Sequence, residues 1–237
     1  DAGLVEGDVI AVQLPNCLEA VVIAIGANKA GIAVAPMLTI YRGNELRHNL
    51  GLTAAKAIFV PDVYRGFAHR ELAQSCAKEL AHDMRTVVVD VTDDDADGPS
   101  AWLDALGEWP DTPCNRTPPA SGVSVILFTS GTEGKPKAVM HTEQTLNSNV
   151  RAVWRSFEMG DDEVVWMPSP VGHSSGFGYG IRIALLHGAT LVLQDRWDAE
   201  AAVTLIEREQ PTYTLAATVF LTDVLRVAES RSTELSS

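Results

Sequence analysis

The chain has 237 residues, of which 46% are hydrophobic, and its formal net charge is −13. A chain of this length and composition can bury a substantial core, as a globular protein does. The acidic charge argues against nucleic acid or an anionic membrane surface as a partner, because both attract basic surfaces. A small anionic ligand stays possible, since a local nest of backbone N–H groups can bind it within an acidic protein.

The cysteines and the apolar runs indicate which cellular compartment the protein occupies. Cys17, Cys76 and Cys114 are odd in number and show no C-x-x-C spacing, which argues against a disulfide scaffold or a zinc site and favours a reducing, cytoplasmic environment. The longest apolar run, residues 20–27, is too short for a transmembrane helix of about 20 residues. No basic segment precedes it, as one would in a signal peptide. The chain lacks an initiator Met, and we expect both of its ends to be cuts through a longer protein.

In the first part of the chain, apolar runs rich in β-branched residues alternate with segments of helical period. The predicted strands span residues 8–15, 32–37, 56–61 and 85–91, and the predicted helices begin at about Asn16, 44 and 63. Leu18, Val21, Val22 and Ile25 share the predicted buried face of the first helix. Asn44 is the predicted N-cap of the second helix, and the third is predicted to span 63–82. This alternation predicts an α/β fold, with parallel β-sheets flanked by helices.

The alternation stops at residues 92–121, where a charged turn is followed by a Pro-rich stretch without period. We interpret 93–121 as a surface connection between two possible subdomains, 1–92 and 122–237. Strands and helices then alternate again. The predicted strands are 124–129, 163–170, 189–195 and 212–218, and the predicted helices are 142–157, 177–187, 198–209 and one from about Val219.

Residues 128–142 read FTSGTEGKPKAVMHT and follow the predicted strand 124–129. Ligands of parallel α/β sheets bind at the carboxyl ends of strands, and small residues there let the backbone approach a phosphate. A Walker loop needs four residues between its glycines and then Lys-Ser/Thr, whereas two separate Gly131 from Gly134 and Pro136 follows Lys135. The spacing therefore argues against a P-loop NTPase or kinase. A Ser/Gly-rich surface turn is the alternative for the bare cluster.

Read whole, Thr129–Ala138 matches, position by position, a Ser/Thr-Ser/Thr-Gly-Ser/Thr-Thr/Glu-Gly-x-Pro-Lys-Gly/Ala pattern. This resembles the phosphate loop of the adenylate-forming superfamily of acyl-CoA synthetases, luciferases and peptide-synthetase adenylation domains. Residues 7–37, 166–180 and 187–225 resemble further segments of that superfamily in the same order. The resemblance thus covers nearly the whole chain, as a partial N-terminal, AMP-binding domain without the C-terminal domain.

The resemblance implies a role for each residue of the motif. The ATP phosphates would be bound by Thr129, Ser130, Gly131, Thr132, Glu133, Gly134 and Lys137. Lys137 and Thr132 would act in catalysis, and Thr129 would also contact Mg²⁺. Three positions depart from the commoner residues of the superfamily, namely Glu133, Ala138 and Glu143.

The resemblance also implies that a second segment binds the carboxylic acid substrate. His173 and Gly176 form the His-x-x-Gly that lies near the acyl pocket in the superfamily, and Phe177 follows them. Phe177, Gly178 and Tyr179 either line an acyl tunnel or belong to the core, and the sequence leaves both interpretations open. His141, after the phosphate loop, is expected to pack at a helix start.

The implied activity is that of a carboxylate–CoA ligase, which takes a small-molecule carboxylic acid, ATP and CoA, with Mg²⁺. The segments 167–180 and 193–198 are most similar to ligases for medium-chain fatty acids or alicyclic acids. An aryl-CoA ligase and a peptide-synthetase adenylation domain are the alternatives within enzymes, and a truncated, non-catalytic nucleotide-binding module is the alternative of another class. Later motifs of the superfamily for adenine, ribose and the catalytic lysine of the C-terminal domain are not in this sequence, so we expect little or no turnover from the chain alone.

Overall fold

A computed structural model of the chain describes residues 3–91, 122–129 and 136–231. It forms two compact units, which divide between Gln144 and Thr145. The first unit contains a six-stranded sheet in the order β6-β3-β1-β2-β7-β8. Its strands are β1 (Val9–Val12), β2 (Ala33–Pro36), β3 (Ala57–Val60), β6 (Arg85–Val88), β7 (Val123–Thr129) and β8 (Lys137–Thr142).

Neighbouring strands from β6 to β7 are all parallel, and only β8 runs antiparallel to its neighbour. Successive residues of β1 and β2 are buried although their side chains point to opposite faces. The sheet is therefore covered on both sides, as a parallel sheet requires. This confirms the predicted α/β class.

The helices of the first unit are α1 (Leu18–Lys29), α2 (Gly43–Thr53) and α3 (His69–Lys78). Leu46 and Leu50 of α2 share one core with Ala73 and Cys76 of α3, and that core includes Ile58 of the sheet. The two helices thus cover the same face of the sheet.

The second unit has a parallel three-stranded sheet, with β9 (Val164–Met167) between β10 (Thr190–Leu193) and β11 (Tyr213–Thr214). Its helices are α4 (Glu143–Ser156), α5 (Ser174–Gly176), a π-helical turn (Phe177–Arg182), α6 (Ile183–His187), α7 (Ala199–Glu209) and α8 (Thr218–Arg231). No helix among the described residues is both long enough and apolar enough to cross a membrane.

The two faces of β9 belong to two different cores of this unit. Val165 packs with Val150 of α4 and Ile183 of α6. Trp166, the next residue, packs with Val203 of α7 and Val224 of α8. The alternation of side chains along a strand explains why one apolar run serves both cores.

The predicted helix 63–82 is wrong in its first part. Residues 63–68 form a short antiparallel hairpin of β4 (Val63–Tyr64) and β5 (Phe67–Ala68), and α3 begins only at His69. The two residues of the turn, Arg65 and Gly66, have φ of 52° and 72°. Positive φ at both central residues is what a tight two-residue hairpin needs, and Gly66 was its signal in the sequence.

Two details of the first helices also differ from the prediction. Leu18 lies on the exposed side of α1, with 56% of its surface accessible, whereas Ala20, Ile23, Ala24 and Ala27 are buried. The segment is apolar on nearly every side, so its period does not reveal which face is buried.

The predicted N-cap at Asn44 is wrong as well. Helix α2 begins one residue earlier, at Gly43, and its N-cap is Arg42. The Glu45 carboxylate accepts a hydrogen bond from the backbone N–H of Arg42 at 3.3 Å, as the third residue of a capping box does.

Strand β8 and the position of the division were not predicted. The subdomain connection was expected at 93–121, which lies outside the described residues and stays a prediction. The two compact units divide after Gln144, and β7 and β8 belong to the sheet of the first unit. The predicted helix 142–157 is confirmed as α4, directly after β8.

Candidate active site

Thr129 and Lys137, the first residue and the last lysine of the phosphate-loop motif, lie side by side. Thr129 is the last residue of β7 and Lys137 the first of β8, and the antiparallel register pairs them directly. Residues opposite each other in such a pair project from the same face of the sheet, with Cβ atoms about 5 Å apart. Both side chains are exposed. The structure thus places a hydroxyl and an ammonium group together at the carboxyl end of β7.

That position is the edge of the sheet where ligands of parallel α/β folds bind. Val125 of β7 pairs in parallel with Val34 of β2, so β7 ends on the same side of the sheet as the other parallel strands. The predicted ligands Ser130, Gly131, Thr132, Glu133 and Gly134 lie outside the described residues.

The elements around the motif give a second argument against a Walker loop. A Walker loop joins a strand to a helix whose N-terminus faces the phosphates. Here the chain leaves the motif at Pro136 and enters β8 at once. The motif therefore joins two antiparallel strands of one sheet.

His173 starts the second candidate segment as the N-cap of α5. Its ring nitrogen Nδ1 accepts a hydrogen bond from the backbone N–H of Ser175 at 3.2 Å. The hydroxyl of Ser175 lies 2.7 Å from the same nitrogen. A nitrogen that accepts an N–H carries no proton itself, so the hydroxyl also donates to Nδ1. The neutral ring of His173 then has its proton on Nε2, as a donor.

Gly176 has a steric reason to be glycine. A Cβ atom at this position would lie 2.2 Å from the carbonyl oxygen of Pro170. The same oxygen accepts a hydrogen bond from the backbone N–H of His173 at 2.9 Å. The turn after β9 and the start of α5 are therefore packed backbone against backbone. In the His-x-x-Gly motif, the glycine is thus explained by its close backbone packing and the histidine by its role as the N-cap of α5.

Phe177 is 4% exposed and opens the π-helical turn Phe177–Arg182. Gly180 within this turn also lies close to the sheet, since a Cβ there would be 2.6 Å from Cγ of Met167. π-helical turns occur often at functional sites. The burial of Phe177 agrees with a core role, and its part in an acyl tunnel stays a prediction.

Two positions of the site had no signal in the sequence. Ser175 occupies a variable position of the His-x-x-Gly pattern, and only the structure shows its contact with the histidine ring. His48 lies in α2, far from the motif in sequence, and reaches the carbonyl of Pro136. His141, expected at a helix start, instead lies in β8 opposite Val125, where burial lowers its pKa.

The described residues form a largely parallel α/β protein, with Thr129 and Lys137 of the motif at the carboxyl edge of its first sheet. The family model described as AMP-binding enzyme matches residues 1–237. The chain belongs to this family.

Two curated relatives are CoA ligases by name. The chain is 32% identical over 235 residues to the medium-chain fatty-acid–CoA ligase of Escherichia coli K12, covering 99% of this chain and 41% of that protein. It is 34% identical over 227 residues to a 2-hydroxy-7-methoxy-5-methyl-1-naphthoate–CoA ligase of Streptomyces carzinostaticus, covering 90% of this chain and 39% of that protein. The chain thus spans about two fifths of the length of these relatives.

Solved structures share the fold. The N-terminal domain of FACL13 from Mycobacterium tuberculosis matches 99% of this chain and 55% of its own, with a TM-score of 0.80 and 19% identity. ATP-bound MatB from Rhodopseudomonas palustris matches 94% of this chain and 42% of its own, with a TM-score of 0.78 and 22% identity. The chain therefore shares the fold of the N-terminal domain of FACL13 and of part of MatB.

Proposed function

We propose that this chain belongs to an acid–thiol ligase, which activates a carboxylic acid with ATP and then forms a thioester with CoA. The observation that carries the proposal is the pairing of Thr129 with Lys137 at the carboxyl edge of the sheet, in a family of AMP-binding enzymes. The names of the two curated relatives, both CoA ligases, support the thioester step.

The chemistry explains why this edge needs a positive charge. In the first step a carboxylate oxygen attacks the α-phosphorus of ATP, a new C–O–P linkage forms, and pyrophosphate leaves with the bonding electrons. In the second step the thiol of CoA loses its proton, its sulfur attacks the acyl carbonyl, and AMP leaves. The first step brings two anions together, so neutralising donors are the main catalytic need.

Lys137 meets this need with its ammonium group, held beside the hydroxyl of Thr129. By the resemblance, the hydroxyls of Ser130 and Thr132 would donate to phosphate oxygens, and Gly131 and Gly134 would let backbone N–H groups approach them. The carboxylate of Glu133 would then point away from the phosphates or meet a cation.

Magnesium would bind at this site mainly through the phosphates of the nucleotide. Among the described residues, no three His, Cys, Asp or Glu side chains cluster to hold a metal ion. Mg²⁺ is typically held by substrate phosphates, waters and one or two protein oxygens. The hydroxyl of Thr129 would be one such oxygen, and the ion would offset phosphate charge there.

His173 is suited to receive the acid. Its Nε2 carries the proton in the neutral ring, because Nδ1 accepts from Ser175, and an N–H donor there can orient a carboxylate oxygen. Gly176 keeps the turn compact, and the buried ring of Phe177 would form an apolar wall.

The acid class that we propose first is a medium-chain fatty acid or an alicyclic acid, in line with the relative from Escherichia coli. An aryl acid is the second candidate, because identity to the naphthoate–CoA ligase is 34%. We further propose a cytoplasmic location for the enzyme.

The test is carboxylate-dependent exchange of pyrophosphate into ATP. It is measured on this chain and on the whole reading frame that contains it, with octanoate, cyclohexanecarboxylate, benzoate, acetate and amino acids. Exchange with one class of acid by the whole protein establishes adenylation and names the substrate, and AMP rather than ADP as product excludes a kinase. Absence of exchange with every acid, in a folded protein that binds ATP, supports a non-catalytic nucleotide-binding module instead.

A further inference from the structure

The side chain of His48 reaches the end of the phosphate-loop motif from helix α2. Its ring nitrogen Nε2 lies 3.0 Å from the carbonyl oxygen of Pro136. A carbonyl oxygen only accepts hydrogen bonds, so Nε2 must carry the proton and donate. The contact joins residues that are 88 positions apart in the sequence.

The main chain of Pro136 can form hydrogen bonds only through its carbonyl oxygen. Proline has no backbone N–H, and its carbonyl is therefore its single main-chain hydrogen-bonding group. The bond from His48 uses this group, one residue before Lys137. It thus fixes the point at which the chain enters β8.

His48 approaches from the face opposite to the Lys137 side chain. Leu46 and Leu50 of α2 belong to one core with Ile126 of β7, and Phe128 and Ala138 pack against it. Thr129 follows Phe128 in β7, and Lys137 precedes Ala138 in β8. Because side chains alternate along a strand, Thr129 and Lys137 project from the other face. Helix α2 can therefore contact the β7–β8 pair without occupying the face that carries the ammonium group.

We propose that His48 is a positioning residue for Lys137: its bond to the Pro136 carbonyl holds the first residue of β8 in register with Thr129. The proposal rests on the proposed function, in which Lys137 contacts the ATP phosphates. Its geometric part, the control of the start of β8, is independent of that function.

The chain offers a matched control in His82. Its Nε2 lies 3.1 Å from the carbonyl oxygen of Ala55, which is the same kind of bond in the same unit. Ala55 precedes β3, at the amino edge of the parallel strands and away from Lys137. His48→Ala and His82→Ala thus remove equivalent bonds at opposite edges of the sheet, and His48→Gln keeps a donor near the position of Nε2.

The geometric part is tested on this chain by amide hydrogen exchange and by ¹⁵N NMR of the histidine rings. We expect His48 in the Nε2-protonated form. In His48→Ala, exchange at the first amides of β8 should be faster by about two- to tenfold, the effect of losing one neutral hydrogen bond. His82→Ala should leave these amides unchanged, and His48→Gln should restore them. A ring protonated only on Nδ1, or equal effects of the two Ala variants, overturns the proposal.

The functional part is tested on the whole protein by steady-state kinetics. We expect His48→Ala to raise KM for ATP by about two- to tenfold, with KM for the acid unchanged and with recovery in His48→Gln. An unchanged KM for ATP, or an equal rise in His82→Ala, overturns the role in positioning. If the wild-type protein adenylates no acid, the proposed function fails, while the exchange and NMR results still decide whether His48 holds β8.

Discussion

Thr129 and Lys137 face each other across the β7–β8 pair as its last register partners. Their pairing brings the first residue and the last lysine of the phosphate-loop motif together within one sheet, so the hydroxyl and the ammonium group are positioned by strand geometry. The ammonium group that we propose for adenylation is thus attached to a paired strand of the first sheet.

The first prediction concerns the charge of Lys137. In the whole protein, Lys137→Ala should slow adenylation roughly 10- to 150-fold, because a hydrogen bond to a charged group contributes about 1.5–3 kcal/mol. Pyrophosphate exchange measures the effect. Lys56→Ala is the control, since Lys56 is an exposed lysine just before β3 and its loss changes the net charge equally. Similar rates for wild type and Lys137→Ala would remove Lys137 from the site.

The second prediction concerns the backbone contact at Gly176. Gly176→Ala should lower the free energy of unfolding of the second unit by about 1–3 kcal/mol, because its Cβ would lie 2.2 Å from a backbone oxygen that cannot rotate away. Gly178→Ala, two residues later, meets no atom within 4 Å and should be neutral or stabilising. Urea unfolding followed by tryptophan fluorescence measures both. Equal stability of the two variants would contradict the proposed packing.

The third prediction concerns the proton on the ring of His173. Ser175→Ala removes the hydroxyl that lies 2.7 Å from Nδ1, so the share of rings protonated on Nδ1 should rise about two- to tenfold. Nitrogen-15 NMR of this chain measures the two tautomers. Ser174→Ala changes the exposed neighbour and should leave them as in wild type. An identical ring spectrum for Ser175→Ala would show that the backbone N–H alone sets the tautomer.

The fourth prediction concerns pH and His69. This ring is 1% exposed, and burial, aided by the positive charge of Arg42, lowers its pKa to about 4. The rings of Phe67 and Tyr64 lie beside it, at centroid distances of 5.0 and 6.2 Å. The folded protein therefore keeps His69 neutral in a pH range where the unfolded chain binds a proton, because an unperturbed histidine titrates near 6.5.

It follows that His69 does not weaken the fold above about pH 6.5, and that stability falls as the pH drops from there to about 4, by roughly 2–3 kcal/mol in total. His69→Phe removes this titration. Urea unfolding across that range should give a flatter pH dependence for His69→Phe than for wild type. Parallel curves for the two proteins would mean that the pKa of His69 is the same in the folded and the unfolded chain.

The regular parts of the fold were predictable because their signals are local. Runs such as residues 9–12 and 57–60 are apolar and β-branched, and the helices between them follow from the spacing of the strands. Strand β8 was not, because it is exposed at several positions and its pairing with β7 depends on contacts that period alone does not encode. The same holds for the hairpin 63–68, where two backbone angles decide the turn.

The candidate site could be predicted where a motif names its residues. Thr129, Lys137, His173 and Gly176 were predicted by resemblance, and their part in binding stays a prediction. The structure adds why the first two adjoin and why the last must be glycine. The contact of His48 could not be predicted, because it joins residues 88 positions apart. The contact of Ser175 could not be predicted either, because it depends on the local geometry of the turn, which the motif does not specify. A sequence pattern specifies residues, whereas such bonds specify their orientation.

The register of β8 also limits how the motif can change in length. Ala138 faces the core and Lys137 the opposite side, and a slip of one residue would exchange the two faces along the whole strand. It would turn the ammonium group toward the apolar interior, where an unpaired charge is strongly unfavourable. Insertions or deletions between Thr129 and Lys137 are therefore tolerated only where they leave the register of β8 unchanged. The register of β8 thus decides which face of the sheet Lys137 projects from. Substitutions within the motif keep this register, whereas a shift of the strand by one residue would change it.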